Sequence, residues 1–124
     1  IKLLASKWLC SQGWQITDLP VFLDVEEYRQ AILPKRTLTD IIKTFCNGMR
    51  DNGFDSGLYS AKSMLMDSAY PDEISSNYLI WLAAPNESYN KLPYFVDIHQ
   101  YDWYGRVDGI NDKTDLNYIY NLNY

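Results

Sequence analysis

The sequence predicts an α/β fold in which helices alternate with the strands of a mostly parallel sheet. Three segments indicate this fold: a nearly continuous apolar run at residues 21–25, an amphipathic pattern at 37–53, and a second apolar run at 78–83. A strand that is apolar on both faces is typical of parallel sheets, which are covered on both sides. The alternating order of strand and helix signals favours parallel pairing with right-handed crossovers.

The first twenty residues predict a helix and a turn. Apolar residues recur at helical spacing over residues 3–9, and Gly13 supplies a stop signal. Residues 18–20 (Asp-Leu-Pro) predict a turn before the strand at 21–25. Because the helical pattern starts at Ile1 without a capping residue, we expect the N-terminal part of the domain to be missing.

The helix predicted at residues 37–53 has the strongest signals in the chain. Thr37 is the predicted N-cap, with Asp40 three residues later, and Gly53 lies just beyond the predicted end. Its predicted core face consists of Leu38, Ile41, Ile42, Phe45 and Met49.

The rest of the chain continues the alternation. We predict strands at residues 56–59, 78–83 and 94–101, a helix at 61–67, and turns at 70–72 and 102–113. The tail at 115–124 is rich in Asn and Tyr and yields no strand or helix prediction.

Composition and charge argue against some classes of function. The 124 residues, 47% hydrophobic and 22% charged, are typical of one globular domain. The net charge of -5 provides no basic surface for nucleic acid, and no segment has the roughly 20 apolar residues that span a membrane. Cys10 and Cys46 lack metal-ligand spacing, so we interpret both as free thiols.

Asp24 and Glu26 lie at the end of the first predicted strand, where active residues of α/β folds gather. Side chains two residues apart on a strand project to one face, about 6.5 to 7 Å apart. Two such acids can divide their work, one donating a proton and one stabilising positive charge, as glycosidic bond hydrolysis requires. The alternative is structural: either acid could cap the following loop or pair with Arg29.

Tyr59, Trp81 and Tyr101 each end a predicted strand and are candidates for a sugar-contacting wall, although a place in the core is equally consistent. Gln100 alternates with His99 and Tyr101, so a regular strand directs it to the opposite face. A lone His is more often structural than a ligand, and we interpret His99 accordingly.

The order of these motifs adds a resemblance to a known family. The motifs, in order, are residues 19–27 (LPVFLDVEE), 57–60 (GLYS), 78–83 (YLIWLA), 99–101 (HQY), 105–110 (GRVDGI) and 114–117 (TDLN). The succession resembles the family 25 glycoside hydrolases, lysozymes that cleave peptidoglycan between N-acetylmuramic acid and N-acetylglucosamine. It extends over nearly the whole chain but over only the C-terminal part of such a domain.

The resemblance implies that residues 1–124 are a partial catalytic domain, the later portion of a modified (β/α) barrel whose N-terminal strands are missing. It implies that Glu26 is the general acid/base, that Asp24 stabilises an intermediate formed by the substrate's N-acetyl group, and that Asp115 is a third carboxylate of the cleft. Tyr59, Trp81, Gln100 and Tyr101 would bind peptidoglycan glycan strands. No metal or cofactor is implied, and the location would be extracellular or secreted.

Other interpretations remain open. The family's first acid, in a Phe-Asp-x-Ser motif, has no counterpart here, so the chain could be an inactive carbohydrate-binding remnant. A metal-dependent barrel hydrolase with Asp24, Glu26 and His99 as ligands is a third alternative. We also expect self-association through the apolar strand at 21–25, which would be an exposed edge if earlier strands are missing.

Overall fold

The computed structural model describes residues 19–122, which form a single five-stranded sheet with helices packed against it. The strands are β1 (Val21–Val25), β2 (Ser56–Ala61), β3 (Leu79–Ala83), β4 (Ile98–Gly105) and β5 (Thr114–Ile119), and their spatial order follows the chain. β1 to β4 pair in parallel and β5 pairs antiparallel to β4. The predicted α/β class with a mostly parallel sheet is therefore confirmed, and its closure into a barrel stays a prediction.

The helices occupy the connections between strands. They are α1 (Tyr28–Ala31), α2 (Lys35–Asp51), α3 (Lys62–Ser68) and α4 (Pro71–Ser75), with a 3₁₀ turn at Tyr89–Lys91. α1 is too short for a periodic signal and was not predicted. A turn was predicted where α4 begins, because Pro71 occupies the first helical turn, a position that proline also favours in turns. The helix predicted at 3–13 and Cys10 lie outside the described residues.

The start of α2 differs from the prediction, whereas its end agrees with it. The predicted cap at Thr37 is wrong: Pro34 is the N-cap, and its carbonyl accepts the Leu38 N–H at 3.0 Å. Proline fixes a backbone angle suited to the start of a helix, and the helix begins three residues earlier than the predicted cap implies. At the other end, Gly53 has φ +85° and its N–H donates to Arg50 O at 2.9 Å, which confirms it as the stop.

One hydrophobic core joins the sheet to the helices. Leu38, Ile42 and Met49 of α2 are buried as predicted, and Phe45 is partly buried against the core. Ile41 is exposed, so its assignment to the core face is wrong. Cys46 is a free, buried thiol, and burial raises its pKa. The core cluster consists of Val25, Leu38, Ile42, Cys46, Leu58, Leu65, Ala69, Ile74, Tyr78, Ile80, Leu82, Ala84 and Val96.

The two last strands differ most from the prediction. β4 starts four residues later than predicted and continues to Gly105, through a segment for which we predicted turns. β5 was not predicted at all. Only Thr114 and Leu116 are partly buried and its other four residues are exposed, so no buried apolar face marks this strand in the sequence.

Side-chain hydrogen bonds fasten the strands to one another. The Ser56 and Ser60 hydroxyls of β2 donate to Val21 O and Val25 O of β1, each at 2.8 Å. Asp97, which precedes β4, accepts the Ile80 N–H at 2.7 Å and an Asn121 amide hydrogen at 3.1 Å. These bonds satisfy buried polar groups and fix the register.

Within residues 19–122, β1 and β5 are the outermost strands, and no helix is both long and apolar enough to cross a membrane. The self-association expected through β1 stays a prediction.

Gly57 provides a test of this sheet geometry. A Cβ added there would lie 2.2 Å from the Leu79 backbone oxygen of β3, whereas one added at Gly48 of α2 would have no neighbour within 4 Å. Gly57→Ala should therefore lower the free energy of unfolding by about 2 kcal/mol or more. The matched control Gly48→Ala should raise it by about 0.5–1 kcal/mol, because alanine is the better helix former. Urea titrations of both variants would measure the difference, and equal effects would contradict the close β2–β3 approach.

The ion pair between α2 and α4 predicts a pH dependence of stability. Arg36 binds Glu73 through two hydrogen bonds of 2.9 and 2.7 Å, and this bonding lowers the pKa of Glu73 from 4.5 to about 2. A lowered pKa in the folded state stabilises the protein above the ordinary pKa, and the contribution is lost as pH falls from 4.5 to about 2.

Glu73→Gln should therefore lower the urea midpoint near neutral pH, and its difference from the unsubstituted protein should shrink over that acidic range. The pair is exposed, so about 1 M salt should weaken the effect. A difference independent of pH would show that Glu73 stabilises the fold by packing alone.

Candidate active site

A cavity of about 310 Å³ opens at the end of the sheet where the parallel strands finish. Its lining consists of Asp24, Glu26, Tyr59, Trp81, Gln100, Asp115 and Asn117. Each of the five strands contributes at least one of these residues, and Glu26 directly follows β1. Six of the seven residues that the sequence suggested for a site are thus brought together around one space.

Strand register accounts for the first row of the lining. Asp24 pairs with Tyr59 across β1 and β2, and Tyr59 pairs with Trp81 across β2 and β3. Their side chains project to the face opposite the helix-packed residues Leu58 and Ile80, because successive strand residues alternate. Three side chains that are far apart in sequence therefore stand next to one another.

The aromatic members of this row form a packed floor. Trp81 meets Tyr59 edge to face at 5.1 Å between ring centroids and meets Phe22 of β1 in the same way at 5.4 Å. The Trp81 indole N–H donates to the Asn117 side-chain oxygen at 2.8 Å. Contacts on both edges hold the indole in a fixed orientation, which suits stacking against an apolar sugar face.

The next row toward the strand ends is polar where β4 and β5 pair. Gln100 lies opposite Asn117 of β5 and beside Ala83 of β3. The Gln100 side chain is buried. Its amide oxygen accepts a hydrogen bond from the Tyr59 hydroxyl at 2.9 Å, and its amide nitrogen donates one to an Asp115 carboxylate oxygen at 3.3 Å. Gln100 therefore connects the aromatic floor to the acid of β5.

Two further residues support the site without having been predicted from the sequence. The Gln30 side-chain oxygen of α1 accepts the backbone N–H groups of Glu26 at 2.9 Å and Glu27 at 2.8 Å. Trp103 donates its indole N–H to Gln100 at 2.7 Å. Glu27 is the N-cap of α1, and the structural alternative for Asp24 and Glu26, a loop cap or a pair with Arg29, stays a prediction. Glu27 and Gln30, three residues apart, form a capping box, and this spacing is the sequence signal that predicts the start of α1.

The electrostatics of the cavity are dominated by carboxylates. Burial raises the pKa of Tyr59, and the negative charges of Glu26, Asp24 and Asp115 raise it further. The Tyr59 hydroxyl therefore keeps its proton and donates a hydrogen bond to the Gln100 side-chain oxygen. The described lining contains no Lys or Arg, so the cavity suits an uncharged ligand or a developing positive charge and disfavours a phosphate.

Tyr101 does not line the cavity of Asp24 and Glu26, so its predicted place in one wall with Tyr59 and Trp81 is wrong. It lines a different cavity, of about 430 Å³, together with His99 and Tyr118, and stacks on Tyr118 at 4.2 Å. Alternation along β4 leaves Gln100 as the strand's contribution to the carboxylate cavity. His99 is buried, and its Nε2 lies 2.8 Å from Ala84 O, a structural contact.

The metal-site alternative loses its third ligand in this arrangement. His99 does not line the cavity of Asp24 and Glu26, and residues 19–122 contain no cluster of three or more His, Cys, Asp or Glu suited to a metal.

A larger groove, of about 670 Å³, lies at the other end of the sheet, where β2 and β3 begin. Its lining includes Asp55 and Asp97, and the Asp97 carboxylate already accepts hydrogen bonds from the Ile80 backbone N–H and the Asn121 side-chain amide.

Comparisons with known proteins agree with the fold. The sequence matches no protein-family profile and no curated protein. Among solved structures, the chain is similar to the Clostridium perfringens spore cortex lytic enzyme SleM, with a TM-score of 0.66 and 22% identity. The match covers 82% of this chain and 37% of that chain, so this chain spans well under half of its neighbour's length. At this identity the similarity extends to the fold alone.

Proposed function

We propose that the protein hydrolyses the β-1,4 bond between N-acetylmuramic acid and N-acetylglucosamine in peptidoglycan. The observation that carries the proposal is the convergence of Asp24, Glu26 and Asp115 beside Tyr59 and Trp81 in one cavity. Glycosidic hydrolysis needs a proton donor and negative charge near an oxocarbenium-like centre, together with apolar surface for the sugar ring.

In this proposal Glu26 is the general acid/base. Its proton passes to the oxygen of the departing sugar as the glycosidic bond breaks, while the carbonyl oxygen of the substrate's N-acetyl group bonds to the anomeric carbon. The Glu26 carboxylate then takes a proton from the water that opens this cyclic intermediate. Asp24 orients and stabilises the N-acetyl group, and Asp115 adds negative charge to the cleft. The resemblance to family 25 glycoside hydrolases supports these roles.

The aromatic floor would hold the glycan. Trp81 and Tyr59 offer ring faces and edges, and the orientation of Trp81 is fixed by Asn117 before any ligand arrives. A preorganised wall lowers the entropy cost of binding. The partner is then a peptidoglycan glycan strand, no cofactor is required, and the location is extracellular or secreted.

The fold of the chain is compatible with this activity. SleM, which shares the fold, is described as a spore cortex lytic enzyme. The second candidate function is glycan binding without turnover. The packing of Trp81 against Tyr59 and Phe22 favours it, because these contacts do not depend on the acids.

Glu26→Gln tests the proposal most directly. The substitution keeps the size of the side chain but removes the acidic proton, and general acid catalysis contributes about 10² to 10⁴-fold. Release of reducing sugar from peptidoglycan should fall by that factor, while the thermal unfolding midpoint stays unchanged. Glu27→Gln, the same change one residue away and outside the cavity, is the matched control.

Activity of Glu26→Gln within about twofold of the unsubstituted protein would exclude Glu26 as the acid. If the unsubstituted protein binds glycan but releases no sugar, the binding function is correct instead.

Asp24→Asn separates transition-state stabilisation from substrate binding. The charge of Asp24 matters most when positive charge develops, so kcat should fall by about 10-fold or more while KM changes little. Steady-state kinetics on purified glycan would measure both values. An effect confined to KM would contradict the proposed role.

A further inference from the structure

The side-chain amide of Gln100 has a defined orientation, although it lies among groups that could bond to either of its ends. Its oxygen accepts two hydrogen bonds, from the Tyr59 hydroxyl at 2.9 Å and from the Trp103 indole at 2.7 Å. Its nitrogen donates to Asp115 at 3.3 Å. Gln100 is 3% exposed, so water does not replace these partners readily.

Trp103 and the Asp115 carboxylate together determine which way this amide points. A tyrosine hydroxyl can donate or accept, but an indole N–H can only donate. If the amide were reversed, its NH₂ group would face the Trp103 N–H, and its oxygen would face the Asp115 carboxylate. Both contacts would be repulsive, so both partners favour the observed orientation, and the indole fixes the Gln100 oxygen toward Trp103 while the nitrogen faces Asp115.

An irregularity in β4 makes this contact geometrically accessible. Residues three apart on a regular strand point to opposite faces, yet Trp103 reaches Gln100. The β4–β5 register shifts between Gln100 and Asp102, and such a shift re-aims the following side chains. Asp102 also accepts the Tyr104 backbone N–H at 2.8 Å, which holds the irregular segment.

We propose that Trp103 is a positioning residue for Asp115 and acts through the Gln100 amide. The role in turnover rests on the hydrolase function proposed above, but the relay of hydrogen bonds does not. Gln100 then serves to orient an acid of the cleft, and its oxygen is occupied within the protein instead of binding sugar.

Nuclear magnetic resonance of the side-chain amides tests the relay without requiring activity. In ¹⁵N-labelled protein, the Gln100 NH₂ signals should shift as Asp115 is titrated, and Asp115→Asn should abolish this response. Trp103→Phe, which removes the donor, should reduce the response at least about twofold, because reversed amides no longer contact Asp115. Trp81→Phe removes another indole N–H, which bonds Asn117, and should leave the response intact.

Replacement of Trp103 by β-(3-benzothienyl)alanine keeps the ring system and removes only the N–H, so it covers the case in which Trp103→Phe misfolds. An unchanged Gln100 response in a folded variant of either kind would overturn the proposal.

Kinetics test the consequence for the reaction. Loss of one hydrogen bond in the relay should lower kcat by about 3- to 10-fold in Trp103→Phe with little change in KM. In a Gln100→Met background, Trp103→Phe should lower kcat no further, because the residue through which it acts is gone. Equal losses in both backgrounds would overturn the proposal, since they indicate a packing role for Trp103.

The two proposals fail separately. If the protein releases no sugar, the hydrolase function fails, and the amide signals still decide whether Trp103 orients Gln100 toward Asp115. If hydrolysis proceeds and the amide signals do not respond to Trp103, only the relay fails.

Discussion

The parallel register of the first three strands is the constraint on which the rest of the structure depends. It aligns Asp24, Tyr59 and Trp81 in one row across the sheet. A shift of one residue in any of these strands would direct its side chain into the helix-packed core, because strand side chains alternate between faces. The candidate site is therefore a consequence of correct strand pairing, and the buried residues Leu58 and Ile80 on the opposite face enforce that pairing.

Polar side chains supplement the apolar core in maintaining this register. Ser56 and Ser60 connect β2 to β1 at both ends of the shared pairing, and Asp97 connects the start of β3 to the segment after β5. Buried hydrogen bonds of this kind are directional, whereas apolar burial alone tolerates small slips. The same principle operates within the cavity, where Gln100 and Asn117 orient an acid and an indole.

The cavity combines a rigid apolar floor with an acidic rim. Trp81 is packed against Tyr59 and bonded to Asn117, so the floor is organised without a ligand. Concentrated negative charge has a cost, because like charges repel one another. Burial, and after it the nearby carboxylates, raises the pKa of Tyr59. Sites that work by electrostatic stabilisation typically carry such a cost, because their charges are placed for a developing charge and not for the resting protein.

Sequence by itself determined the α/β class, the approximate positions of β1 to β3 and α2, the Gly53 stop, and the candidacy of Asp24 and Glu26. These features depend on local signals: apolar periodicity, a glycine with positive φ, and the two-residue repeat of a strand. Tertiary structure alone decided the outcome at β4 and β5. The polar strand β5 has no apolar period, and the faces of Gln100 and Tyr101 depend on which neighbours pack against β4. Trp103 reaches Gln100 only because the register shifts between two paired strands, and single-sequence patterns carry no information about such pairing.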